Sequence, residues 1–170
     1  MGLRDDGTTH SGIYCSVVGG CAGFGSGTVV QPDSSDIGNL LYQWVTVYNG
    51  GINALQFHGV PDGTYNLCFY GCDGSFNDRG TTFVAHDSLN GDQTAGTVNG
   101  SPIIPLQQSV NFVVLTNVHV SGGTLKVDVT ATSPVPSHNP NTEADFNAVQ
   151  IQLVSYDVPA PAVPARARRG

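Results

Sequence analysis

Residues 53 to 80 read NALQFHGVPDGTYNLCFYGCDGSFNDRG, two alternating runs that meet at a Pro-Asp-Gly turn and then open into a polar, cysteine-bearing loop. Pro61 pre-sets φ near −65°, and Gly63 supplies the positive φ that a compact reversal often needs. After the turn, Tyr65, Leu67 and Phe69 fall on one face of an extended segment, with Asn66, Cys68 and Tyr70 on the other. That period of two is the signature of a half-buried strand. Ala54, Leu55 and Phe57 supply the facing partner, so the pattern predicts a hairpin.

The same texture continues along the chain. Leu125, Val127, Val129 and Ala131 alternate with Lys126, Asp128 and Thr130, and Val149, Ile151 and Leu153 alternate with Gln150 and Gln152. Further strands are expected at Leu40 to Tyr48, Gly80 to His86, Ser109 to Val114, Val118 to Val120, Thr124 to Thr132 and Asn147 to Tyr156. With 22 Gly and 10 Pro in 170 residues, the composition suits short strands joined by turns. The helical alternative over Asn141 to Val149 is too short to persist. The fold expected is all-β: a single jelly-roll-like antiparallel sandwich of about eight strands, with extended N- and C-terminal arms. Residues 1–38 form a Gly-rich arm with the first loops or strand, 39–157 the sandwich, and 158–170 a Pro/Ala/Arg-rich tail.

Charge narrows the function classes. Three of the six cations, Arg166, Arg168 and Arg169, lie in the last five residues, so Arg4, Arg79 and Lys126 face thirteen acids in the rest of the chain. A nucleic-acid surface needs clustered cations to displace phosphate counterions, so nucleic acid is not an expected partner. No window approaches eighteen consecutive apolar residues, so no transmembrane helix is expected. MGLRDDGTTHSG lacks the apolar core of a signal peptide. The expected location is extracellular, with the signal absent from this sequence, or a virion surface.

The four cysteines allow three pairings. In a regular strand the Cα atoms of Cys68 and Cys72 would stand about 13 Å apart, beyond disulfide reach, but a bend at Gly71 would close the gap. Two local bridges are expected, Cys15 to Cys21 and Cys68 to Cys72, implying an oxidising compartment. A four-thiolate zinc site is the sharper rival, although neither pair has CxxC spacing, and free buried thiols are the remaining alternative.

Catalytic motifs are missing: there is no GxSxG, HExxH or phosphate-cradling GxxxxGK[ST]. His10, His58, His86, His119 and His138 are scattered without metal-ligand spacing and read as rim or core residues. The chain is expected not to be an enzyme, with glycoside hydrolysis by paired carboxylates as the exception to watch. Oxygen side chains alternate from Asp73 to Asp78, but Asp78 and Val84 stand where an EF-hand loop needs Gly and Glu. No cofactor is expected beyond a structural calcium, whose ligands would come from Asp73, Asp78, Glu143 and Asp145.

The segments LQFHGVPDGTYNLCFYG, DRGTTFVAHD, SGGTLKVDVTAT and ADFNAVQIQLV occur in an order that resembles carbohydrate-binding-module-like domains of the galactose-binding, malectin-like type. The resemblance covers Leu40 to Tyr156 and implies a jelly-roll β-sandwich that binds a polysaccharide or glycan. It matches Arg79 to the arginine opening one strand and Asn147 to the asparagine starting the last. The expected ligand contacts are Tyr70, Asp73, Asn77, Asp78, Arg79 and Asn141. Such modules present an exposed aromatic platform. Here Tyr42, Trp44 and Tyr48 share one face, which is expected to be the packed side of the sandwich. Cysteines flanking Gly71 are not part of that pattern. The alternative function is a structural subunit of an extracellular or virion assembly, forming homo-oligomers through its terminal arms.

Overall fold

The structure, a computed structural model, describes residues 2–4, 10–19, 21–26, 43–48, 53–71, 80–98, 106–132 and 143–157. Those residues form strands and turns and contain no helix. In chain order the strands are β1 (Gly2–Arg4), β2 (His10–Val18), β3 (Cys21–Ser26), β4 (Gln43–Tyr48), β5 (Asn53–His58) and β6 (Gly63–Tyr70). They continue with β7 (Thr81–Ala85), β8 (Gln93–Gly96), β9 (Phe112–Val120), β10 (Thr124–Ala131), β11 (Glu143–Phe146) and β12 (Ala148–Tyr156). The count is twelve among the described residues rather than about eight. The strands not expected from the pattern are short or glycine-bearing, such as CAGFGS in β3 and QTAG in β8, where no alternation announces them.

A six-stranded sheet has the order β1-β2-β5-β10-β7-β8, and two three-stranded sheets have the orders β11-β4-β3 and β12-β6-β9. All pairings between these strands are antiparallel. Only Asn147 separates β11 from β12, and its N–H bonds to the Tyr70 carbonyl at 2.9 Å, so one run of chain joins the two smaller sheets into a second layer. The core lies between the layers. Leu55, Phe57, Phe83, Leu125, Val127 and Val129 of the large sheet meet Tyr65, Leu67, Phe69, Val113 and Val118 of the other. Phe83 is the pillar of this contact, stacked on Phe69 at 4.8 Å and meeting Phe146 edge-on at 6.3 Å. This is the antiparallel β-sandwich that the alternation implied.

The hairpin expected at Pro61-Asp62-Gly63 is not formed. β5 pairs with β2 and β10, whereas β6 pairs with β9 and β12, so the turn is an arch that carries the chain from one layer to the other. Leu55 and Phe57 therefore face Leu67 and Phe69 across the core instead of beside them in one sheet. Val60, fully buried, fills the bend, and the positive φ falls at Gly59 (75°), not Gly63. Gly63 is required for another reason, because a Cβ there would overlap the Ser155 carbonyl. The arch is tied down by Tyr65 Oη donating to the Pro61 carbonyl at 2.6 Å and by the Gly123 N–H donating to the Asp62 carboxylate at 3.1 Å.

The two expected strands at Ser109 to Val114 and Val118 to Val120 are one strand, β9, containing a bulge. Opposite it, Tyr65 pairs with Val118 and Leu67 with Leu115, leaving one extra residue on β9. Asn117 takes φ 58° and its N–H bonds to Asn66 Oδ1 at 3.2 Å. Leu115 and Val118 both stay buried while Thr116 and Asn117 both face outward, which breaks the alternation visible in the sequence. The N-terminal segment is built into the large sheet, where β2 lies against β5 from Tyr14↔His58 to Val18↔Ala54. The C-terminal tail, 158–170, lies outside the described residues.

Candidate functional site

The outward face of β12-β6-β9 carries the most distinctive chemistry. Along β6, burial alternates strictly, so Tyr65, Leu67 and Phe69 are inside and Thr64, Asn66, Cys68 and Tyr70 are outside. Register then sets their neighbours: Phe112 and Ala148 flank Tyr70, Val114 and Gln150 flank Cys68, Gln152 lies beside Asn66, and His119 and Ser155 flank Thr64. Directly opposed residues of an antiparallel pair share a face. At one end Tyr70 and Phe112 form a tilted aromatic pair, 5.8 Å apart and at 36°, and Tyr70 Oη donates to Gln150 Oε1 at 3.2 Å. From Tyr70 to Thr64 the face runs about 20 Å.

At neutral pH the middle of this face is uncharged. Burial raises the Cys68 thiol above its ordinary value, although the Tyr70 hydroxyl opposes part of that rise. Burial also raises the Tyr70 phenol, with Cys68 adding to the shift. The remaining polar groups described between the aromatic pair and Thr64 are amides and the Thr116 hydroxyl.

A second cluster closes the far end. Ser88 Oγ lies 2.7 Å from His119 Nδ1, and His119 Nε2 lies 3.0 and 3.1 Å from the two oxygens of Asp157. The Ser88 N–H also bonds to the His119 carbonyl at 3.0 Å. Beside it, Asp87 holds the turn. Its Oδ1 accepts the Leu89 and Asn90 N–H groups, both at 2.8 Å, and its Oδ2 accepts Asn90 Nδ2 at 3.1 Å and Gln93 Nε2 at 3.2 Å. Burial alone would raise the Asp87 carboxyl, but these hydrogen bonds outweigh it and hold the carboxyl well below the ordinary carboxylate range. Nothing in the sequence spacing marks this cluster, since its members come from a turn, a strand and a strand end far apart in the chain.

The opposite outward face, on the six-stranded sheet, is charged. His86 spans Asp92 at 3.0 Å and Asp128 at 2.9 Å, and Lys126 Nζ lies 3.2 Å from Asp128. Nearby, Tyr14 stacks on His58 at 4.8 Å, and Ser16 Oγ is 2.9 Å from His58 Nε2.

Of the expected ligand contacts, the described residues include Tyr70 alone; Asp73, Asn77, Asp78, Arg79 and Asn141 lie outside them. The loop carrying the first four has a well-defined neck. The Gly71 N–H bonds to the Asn111 carbonyl at 3.1 Å, and the Gly71 carbonyl accepts Thr97 Oγ1 at 3.2 Å. On the return side Thr97 Oγ1 also accepts the Thr81 N–H at 2.9 Å, while the Gly80 carbonyl accepts the Thr132 N–H at 2.9 Å. Of the expected calcium ligands, Asp145 is fully buried and accepts the Thr46 hydroxyl at 2.7 Å, and the Glu143 side chain lies outside the described set, as do Asp73 and Asp78. Among the described residues no group of three or more His, Cys, Asp or Glu side chains could hold a metal ion.

The expected bridges are corrected: Cys15 and Cys68 are free thiols, so neither Cys15 to Cys21 nor Cys68 to Cys72 is formed. Cys15 lies in β2 of the large sheet and the backbone of Cys21 in β3 of the other layer. Cys68 lies in the regular part of β6, and the Gly71 amide bonds to the Asn111 carbonyl of the same chain. Burial pushes the Cys15 thiol up to about 11. In β4, Val45 packs against the core. Tyr42 and the side chains of Trp44 and Tyr48, the other face of that strand, lie outside what is described.

No protein-family model matches this chain, and no curated protein does. Among solved structures it is similar to TmCBM61, solved in complex with β-1,4-galactotriose, at 10% identity over 84% of this chain and 89% of that one, with a TM-score of 0.47. It is also similar to the enzymatically active domain of tailspike protein 4 of bacteriophage CBA120, at 16% identity and a TM-score of 0.37. That match covers 84% of this chain and 19% of the tailspike chain. Neither likeness is close enough to assign a role to any residue here.

Proposed function

We propose that the protein is a carbohydrate-binding domain and that a neutral glycan lies along the β12-β6-β9 face. The observation that carries this reading is the Tyr70–Phe112 pair, set at the end of a sheet surface whose other polar groups are amides, hydroxyls and the Cys68 thiol. Apolar C–H faces of a sugar ring pack on aromatic rings, and sugar hydroxyls both donate and accept, as the amides of Asn66, Gln150 and Gln152 do. An uncharged face favours a neutral polysaccharide over a uronate-rich one.

Affinity electrophoresis against a panel of neutral polysaccharides tests this reading. Retardation by at least one of them is expected, and Tyr70→Ala should weaken it about tenfold, the effect of about 1.4 kcal/mol of lost stacking. No retardation by any neutral polysaccharide would refute it.

One observation favours the other reading, an assembly subunit. The end of β12 exposes Leu153, Val154 and Tyr156, at 36%, 50% and 64% of their surface. A concentration-dependent oligomer that dissociates in Val154→Lys would support assembly through this strip.

A further inference from the structure

We propose that Ser88, His119 and Asp157 form a nucleophilic relay that removes short acyl groups esterified to a glycan held on the β12-β6-β9 face. The location of the alcohol part of the substrate rests on the binding reading above; the chemistry rests on the three side chains.

The geometry has the parts such a relay needs, a nucleophile within hydrogen-bond reach of a base whose other side is oriented by a third group. Ser88 Oγ is 2.7 Å from His119 Nδ1, and His119 Nε2 meets both oxygens of Asp157 at 3.0 and 3.1 Å. A carboxylate only accepts hydrogen bonds, so the Nε2 facing it carries a proton, and the Nδ1 lone pair is left to accept from Ser88. Ser88 Oγ also donates to the His119 carbonyl at 3.0 Å, so that oxygen and Nδ1 share the one hydroxyl proton. The Ser88 N–H on the His119 carbonyl and the Asp87 carboxylate already fix the turn, and neither involves the imidazole. Ser88 is exposed, whereas the His119 side chain is only 16% exposed. The nucleophile is therefore accessible and its base sheltered.

Position links the relay to the glycan face, because His119 is the register partner of Thr64 and so shares the surface that leads to Tyr70. A glycan lying along that face would bring its substituents toward Ser88.

The reaction balances without a co-reactant other than water. Ser88 Oγ forms a bond to the acyl carbon while its proton passes to His119 Nδ1. The ester C–O bond breaks, and that proton goes to the departing sugar oxygen. Water then gives a proton to His119 and its oxygen to the acyl carbon, the bond to Ser88 breaks, and a carboxylic acid leaves with Ser88 reprotonated. Asp157 acts as a positioning residue through the ring. The N–H groups of Ser88, Leu89 and Asn90 are already engaged. None of the three is free to stabilise the oxyanion, and a missing donor of that kind costs about 10²–10³ in rate. The activity is therefore a slow one, best seen with an activated ester.

The test treats the full chain with a fluorophosphonate and, separately, with 4-nitrophenyl acetate. One phosphonyl group per chain, mapped to Ser88 by peptide mass, is expected. Hydrolysis above background should vanish in Ser88→Ala and persist in Ser121→Ala. Asp157→Asn should lower kcat tenfold or more with KM unchanged. No adduct, an adduct on another serine, or equal hydrolysis by the wild type and Ser88→Ala would overturn the proposal. Mapping on the wild type needs no variant to fold. Labelling without binding of any glycan would preserve the relay and remove the glycan reading; binding without labelling would do the reverse.

Discussion

The two outward faces of the sandwich come from the same alternation and have opposite chemistry. On the six-stranded sheet the ionisable groups cluster together: His86 lies between Asp92 and Asp128, and Lys126 lies beside Asp128. On β12-β6-β9 the polar groups described between the aromatic pair and Thr64 are amides, a hydroxyl and a thiol. Charged side chains draw the eye in a sequence, yet here they lie against each other. The uncharged face is the one on which the proposed glycan binding rests.

The largest expected effect destroys both faces at once. Phe83→Ala removes the ring that joins the layers and should cost about 3–5 kcal/mol, read as a lower midpoint in urea unfolding. Sparing it would mean that the layers hold together elsewhere, and the two faces could then be treated as independent. Next comes Asp87, whose loss should cost about 1–3 kcal/mol through the amides it leaves unpaired. Because its carboxyl is held below the ordinary range, its contribution is present above the unfolded value near pH 4 and is lost as pH falls through the folded one. Wild-type stability should therefore drop between about pH 5 and pH 2, and Asp87→Asn should flatten that drop.

A paired experiment sharpens the comparison directly. Tyr70→Ala should weaken glycan binding about tenfold while Tyr14→Ala, on the charged face, leaves it unchanged. Equal losses would erase the distinction between the faces, and a loss for Tyr14→Ala alone would reverse it. The smallest effect is expected at Lys126→Ala, under about 1 kcal/mol and diminishing with added salt, with no change in binding of a neutral glycan.

How much of this was legible in the sequence depended on whether local pattern or distant pairing decided the outcome. β6 and β10 were readable because one face of each is buried and Leu67 and Val127 show it at every second position, and β12 because Val149 and Ile151 alternate against the edge of the core. β9 looked like two strands because its bulge places Thr116 and Asn117 side by side outside. Pro61 and Gly63 announced a reversal of the chain but not which strands would lie beside β5 and β6, and an arch and a hairpin share those turn residues. Tyr70 could be nominated from its strand. Phe112, Gln150 and Gln152 could not be placed beside it, because register comes from tertiary pairing. Ser88, His119 and Asp157 meet only because β9, β12 and the turn after β7 end at the same edge.

The arch at Val60 also sets how the molecule must be assembled. The two strands nearest in sequence at this point cannot zip together, so β5 must find Val127 for Leu55, and β6 must find Ile151 for Leu67. Each of those meetings closes a long stretch of chain before any contact rewards it. Refolding should accordingly take milliseconds to seconds, the pace of chains dominated by distant contacts, with both halves of the core forming together late in the process.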